Sequence, residues 1–140
     1  RKAIDDYMES EEKYRANMEY YKREIAKCTY RQFTTRFYFG KTDSESQIYD
    51  SNTYVKNYTY IGTVREVTPD GCVCFEQKNK FLVGEKLEAM GFDGTNIECE
   101  VQAIYDEEEN SMDSAPHPKQ KLRVKLDKEL ETGIILRRKE

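Results

Sequence analysis

His117 lies between Pro116 and Pro118 and is the only histidine among the 140 residues. Nucleophilic catalysis needs a nucleophile, a base and a group that orients the base, so such chemistry would have to pass through this one imidazole. A proline on each side stiffens an extended loop, which suits a residue making a structural hydrogen bond or a candidate substrate contact better than a proton shuttle. Asp106 to Glu109 sets four carboxylates in a row. They could attract a cation, but the run lacks the alternating ligands and the glycine of a calcium loop, and we read it as a solvated acidic loop. No glycine-rich turn precedes a helix, so nothing cradles a nucleotide phosphate. We therefore assign no catalytic residue and no cofactor.

Cysteines at 28, 72, 74 and 99 could form two disulfides or a metal site, yet the spacings suit neither. Cys72 and Cys74 are one residue apart on a predicted strand and share a face, whereas zinc knuckles use a two-residue gap. We read all four as reduced thiols filling small apolar spaces in a reducing compartment, with no metal ligand among them.

Two clusters could bind a polymer. Lys121, Arg123 and Lys125 form a stripe on one strand face. With Arg137 to Lys139 alongside, they could neutralise RNA phosphates if the two strands are adjacent. The competing reading is an exposed charged strand face. Gln77, Lys78, Asn79 and Lys80 form a turn before Phe81 and Val83. Their amides and amines could read a peptide backbone or a base edge, or could simply close the turn.

The chain must position these groups with one modest core, since 140 residues suffice for a single domain. Charged residues make up 36% and hydrophobic ones 37%, and the net charge is −4, so no global basic field argues for nucleic acid. No apolar run reaches bilayer length and no tripartite leader opens the chain. It starts without Met, inside a helical pattern, as a piece of a longer protein would.

Ile4, Tyr7, Met8, Tyr14, Met18, Tyr21 and Ile25 follow three- and four-residue steps. Ser10 followed by Glu11 and Glu12 is an N-cap signal, which predicts a short helix and then a longer one. Beyond a polar stretch the period becomes two. Tyr58 to Val67, the turn Thr68-Pro69-Asp70-Gly71 and Cys72 to Lys78 predict a hairpin. Strands follow around Leu87, Cys99, Leu122 to Leu126 and Gly133 to Leu136. About six short strands without intervening helices predict a mainly β fold, a small closed antiparallel barrel. Between the two parts, Phe37-Tyr38-Phe39 places three adjacent rings. We expect a clasp, with Phe37 and Phe39 buried against the barrel and Tyr38 turned toward the helices or a preceding domain.

The stretches "TTRFYFGK", "YIGTVREV", "FEQKNKFLVGEKLE" and "APHPKQ", in this order, resemble the C-terminal domain of the collagenase-like peptidase family U-32. The resemblance implies residues 1–28 as a helical connector from a catalytic domain, and 29–140 as a β-barrel similar to the second domain of translation elongation factors. It implies a noncatalytic accessory domain in a cytoplasmic, peptidase-type parent, positioning or binding the catalytic part's substrate. The same resemblance leaves open an RNA-binding role, because some members hydroxylate bases in transfer or ribosomal RNA, and a purely structural brace. The catalytic domain is then the first partner, with a peptide or an RNA as substrate and no membrane. Cluster-binding cysteines known in some relatives lie in the catalytic part, so the four thiols here inherit no ligand role. Metal analysis of the purified chain should find no stoichiometric zinc or iron, and all four thiols should react once the fold is opened. One bound metal per chain, lost in Cys72→Ser, would refute this.

Overall fold

A computed structural model describes residues 1–30, 36–41 and 54–140. Ser10 divides the helical stripe as the sequence predicts. Helix α1 spans Lys2–Glu9, α2 spans Glu11–Ala16, and Ser10 Oγ accepts the Lys13 amide at 3.4 Å. The longer helix expected next is interrupted at Asn17, and α3 runs Met18–Ile25. Asn17 turns its side-chain amide onto Asp6, 11 residues earlier, at 3.0 Å. Buried Asp6 also accepts the Tyr21 hydroxyl at 2.6 Å and faces Lys2 and Lys13 at 3.5 Å each. The Tyr21 bond outweighs burial, and with the Asn17 bond and the two lysines it holds the Asp6 carboxyl at about 2. Tyr7, Tyr14 and Tyr21 pack ring on ring, with centroids 5.5 and 5.6 Å apart. Ile4 and Met8 stay exposed.

The rest is antiparallel β structure. The main sheet contains β1 (Tyr58–Thr63), β2 (Glu66–Val67), β3 (Cys72–Glu76), β5 (Lys86–Met90), β6 (Asn96–Tyr105), β9 (Lys121–Leu126) and β10 (Ile135–Lys139), in the order β1-β10-β5-β6-β9-β3-β2. Short β7 (Ser111–Met112) pairs with β6. Phe81–Leu82 (β4) and Ser114–Ala115 (β8) form a separate pair. The predicted hairpin is β2 and β3: Cys72 N donates to Thr68 Oγ1 at 3.1 Å, and Gly71 takes φ 77°. Alternation holds best in β9, where Leu122, Val124 and Leu126 are buried with Val73, Phe75, Val101 and Ile104.

The expected closed barrel is not formed. Among the described residues the ladder path is open, starting at β1 and ending at β2, and no ladder joins these two strands. The physical cause lies in 58–67, which the sequence reads as one strand. A bulge at Ile61 shifts the β1–β10 register. After Thr63 the chain changes partner: Val64 N donates to Ile134 O at 2.9 Å, and Arg65 N to Cys74 O at 2.8 Å. Beside the bulge, Lys78 N reaches Ile61 O at 2.8 Å. Phe75 packs so closely on Gly62 that a Cβ there would lie 2.5 Å from its ring.

Helices and sheet are joined by charge. Arg137 on β10 is 7% exposed; its guanidinium donates to Glu88 on β5 at 2.7 Å and to Glu24 on α3 at 2.8 Å. Lys27 bonds the same two carboxylates at 2.9 and 2.8 Å. Both cations lie over the Tyr58 ring, Arg137 at 5.1 Å and Lys27 at 5.4 Å. Burial pulls the Arg137 pKa down, but its bonds to Glu24 and Glu88 leave it raised overall. Tyr20 adds a hydroxyl bond to Gly94 O.

The aromatic clasp is corrected. Arg36–Tyr38 form a 3₁₀ turn, and Phe37, Tyr38 and Phe39 are 71%, 84% and 81% exposed, so Phe37 and Phe39 are not buried against the sheet. A 3₁₀ turn does not alternate side chains between two faces as a strand would, and Tyr38 and Phe39 pack edge to face on each other, 5.0 Å apart. Among the described residues no helix is long and apolar enough to cross a membrane. Replacing Arg137 leaves two partly buried carboxylates facing one lysine, so Arg137→Ala should lower unfolding stability by about 3 kcal/mol. The exposed Lys22→Ala should change it by no more than about 0.5 kcal/mol. Equal chemical-denaturation midpoints for the two variants would contradict the joint's importance.

Candidate functional site

The four residues of the 77–80 turn separate into two roles. Gln77 is 0% exposed. Its side-chain amide donates to Asn79 O at 3.1 Å and to Ala115 O, while its backbone exchanges bonds with Gln120 O and Lys119 N at 2.8 and 2.7 Å. It therefore cannot present its amide to a ligand, which corrects the binding reading for this residue. Asn79 spends its amide on Tyr60 O at 2.7 Å, and Lys80 O accepts from Arg138 at 3.0 Å. Gln77 ties the 76–80 turn to the 115–120 turn. Lys78, Lys80, His117 and Lys119 project from these turns into solvent. Lys119 takes a left-handed φ of 68°, uncommon for a residue with a side chain. Among the described residues the His117 imidazole touches no thiol or hydroxyl that it could activate.

The turn beside Gln77 borders a groove of about 350 Å³ between β1, β3 and β9. Phe75, Cys74 and Leu122 line its apolar floor; Tyr60, Thr63, Arg65, Glu66, Glu76, Lys78 and Lys121 line its walls. The Tyr60 hydroxyl is bonded to Thr63 Oγ1 at 2.9 Å. Lys78 pairs with Glu76 and holds that carboxyl below its usual range, helped by the fields of Lys119 and Arg65. Arg65 makes no ion pair among the described residues. A smaller hollow of about 190 Å³ adjoins this groove through Cys74, Lys121 and Leu122 and is rimmed by Asp106, Glu107, Glu109 and Arg123.

The Lys121, Arg123 and Lys125 stripe faces outward as the alternation predicts, but most of its charge is answered. Arg123 bonds Asp70 at 3.0 Å, approaches Glu109 at 3.6 Å and covers the Tyr105 ring at 4.7 Å. Lys125 donates to Asp70 O at 2.6 Å, and Lys121 meets Glu107 at 3.3 Å in an exposed pair. The acidic run read as a solvated loop supplies two of these partners. Arg137 to Lys139 do not adjoin the stripe, since β5 and β6 separate β10 from β9. Of the stripe only Lys121 reaches the larger groove.

All four thiols are free. Cys72 and Cys99 are buried as expected of small apolar fillers, Cys74 is half-buried, and Cys28 is exposed. Burial pushes the Cys99 thiol up to about 11; burial first and then Asp70 raise Cys72. Neither is an activated nucleophile. Among the described residues no three His, Cys, Asp or Glu side chains assemble a metal shell.

Residues 56–137 match the sequence profile described as the peptidase family U32 C-terminal domain. The chain belongs to this family. Two crystal structures of the C-terminal domain of a Geobacillus thermoleovorans protein assigned to the U32 peptidases superpose on it. One, at 28% identity and TM-score 0.52, covers 57% of this chain and 99% of that one; the other, at 30% and 0.51, covers 58% and 91%. The tRNA hydroxylation protein P1 of Bacillus subtilis is 30% identical over 139 residues, 99% of this chain and 33% of that protein. The chain thus spans about a third of the length of that curated relative.

In this U32 C-terminal domain the sequence pattern missed Tyr60 and Arg65. Both lie in "YIGTVREV", but their exposure follows from the bulge and the partner change at 61–65, which leave no periodic trace. The pattern also took Gln77 for a surface amide. Gln77→Ala should remove two buried bonds and leave a void, lowering stability by roughly 2–4 kcal/mol, whereas Lys78→Ala and Lys80→Ala should stay within about 0.5 kcal/mol. Thermal melts giving all three variants the same midpoint would overturn the structural role of Gln77.

Proposed function

We propose that this chain is the noncatalytic accessory domain of a U32-family protein and that it holds an RNA substrate, a tRNA, for the catalytic part. The observation that carries the reading is the groove beside β1. It brings three cations, Arg65, Lys78 and Lys121, together with two carboxylates, Glu66 and Glu76, and a half-exposed tyrosine, a local basic excess in a chain whose net charge is −4. Basic groups gathered locally on an acidic protein serve a local anion rather than a global field. Arg65, lacking an ion-pair partner among the described residues, is the group best placed to take a phosphate. The match along nearly the whole chain to a tRNA hydroxylation protein supports RNA over peptide.

No step of catalysis is assigned to this chain. The domain contributes attraction and position, and the reacting groups belong to the remaining two thirds of the relative's length. The exposed rings of Phe37, Tyr38 and Phe39 and the uncovered α1 residues Ile4 and Met8 are then surfaces for that catalytic part.

Labelled tRNA titrated with the 140-residue chain should show saturable binding. With two or three phosphates engaged, affinity should fall about 7- to 20-fold between about 50 and 200 mM salt. Arg65→Ala and Lys121→Ala should weaken binding and flatten that salt slope, while Lys22→Ala on the helical surface should do neither. Absence of tRNA binding at low salt, or salt-insensitive binding to gelatin or unfolded peptide instead, would overturn the RNA reading.

A further inference from the structure

We infer that the groove between β1, β3 and β9 seats a single unpaired nucleobase against the Tyr60 ring, so that the domain takes RNA that is locally single-stranded and not a duplex. The inference rests on the RNA reading above and narrows it to a form of RNA and a stacking residue.

The shape of the site is the first argument. It is a concavity of about 350 Å³, within the size range of pockets that enclose one small ligand. A duplex presents a broad convex surface, with its bases stacked inside, and could touch only the rim. An extruded base is a flat, protruding group that fits a hollow, and single-stranded RNA is read by such splayed bases.

The lining is the second argument. A pure phosphate site would carry cations alone, yet Glu66 and Glu76 stand in the walls with Arg65, Lys78 and Lys121. Carboxylates repel phosphate but accept hydrogen bonds from amino groups on base edges. The apolar floor of Phe75 and Leu122 has nothing to offer a phosphate and suits the face of a base. Phosphate at Arg65 and base over the floor is therefore the orientation that satisfies both halves of the lining.

Tyr60 is the third. It is 42% exposed, and no other ring stacks on it among the described residues. Its ring is nonetheless held: the hydroxyl is tied to Thr63 Oγ1 at 2.9 Å, and its carbonyl receives the Asn79 amide at 2.7 Å. The next residue, Ile61, takes the bulge and accepts Lys78 N at 2.8 Å. An aromatic platform fixed before binding loses little freedom when a base stacks on it.

The test compares a short single-stranded RNA carrying one 2-aminopurine with the same strand in a blunt duplex, both titrated with the 140-residue chain. The single strand should bind at least about fivefold more tightly, with a change in 2-aminopurine emission. Tyr60→Ala should weaken single-strand binding at least about fivefold without altering the salt slope, and Tyr60→Phe should retain most of it. Equal affinity for the two RNA forms, or a Tyr60→Ala variant that binds like the parent, overturns this inference while salt-sensitive tRNA binding leaves the RNA reading standing. Binding of neither RNA form, nor of tRNA, overturns both. The comparison of the two RNA forms uses the unaltered chain, so it decides even if a Tyr60 variant fails to fold.

Discussion

Arg137 is the point through which the helical and β parts are held in one arrangement. Its guanidinium, on β10, bridges Glu88 of the neighbouring β5 and Glu24 of α3, and Lys27 completes a balanced set of two cations and two carboxylates over Tyr58. Removing four charges from water is costly, and their mutual attraction offsets that cost only where the geometry is close. Such a joint does less for raw stability than for uniqueness, because any sliding of α3 on the sheet would strand a buried charge. The rest of the helical part offers little apolar surface to the sheet: Ile4, Met8 and Ile25 are exposed, and Tyr21 is turned inward onto Asp6.

This joint could not be read from local pattern. Arg137 lies in "ILRRKE", where a run of charges at the end of a strand normally means solvent. Its partners Glu24 and Glu88 are 113 and 49 residues away. What local chemistry does govern was legible: the Ser10 cap, the Thr68 to Gly71 turn, and the alternation that buries Leu122, Val124 and Leu126. The closed barrel failed for a related reason. Periodicity sees apolar and polar alternation through 58–67, but not that the chain changes partner between Thr63 and Glu66, so one predicted strand became two pieces at opposite ends of an open path.

Charge carries the same lesson at the site. The β9 stripe is outward-facing and carries three basic residues in six. Asp70, Glu107 and Glu109 reach it from two separate turns and answer most of its charge. An acidic loop and a basic strand that look independent along the chain are partners in space, so the net field there is weak. Arg65, set between Val64 and Glu66 in ordinary strand sequence, lacks an ion-pair partner among the described residues.

The groove also shows that the family motifs contain both scaffold contacts and side chains left facing outward. Within "FEQKNKF", Phe75 lies on Gly62, Gln77 clamps Ala115 O, and Phe81 stacks on Phe75 at 5.9 Å. These are scaffold contacts, and they resemble the family because the scaffold requires those shapes. Lys78, between them, is exposed; its backbone N–H donates to Ile61 O and its ammonium pairs with Glu76. Its side chain can change without disturbing the turn. A motif of this kind therefore identifies the fold through its buried contacts, while the side chains it leaves facing the groove, Tyr60 and Arg65 among them, are not fixed by that packing.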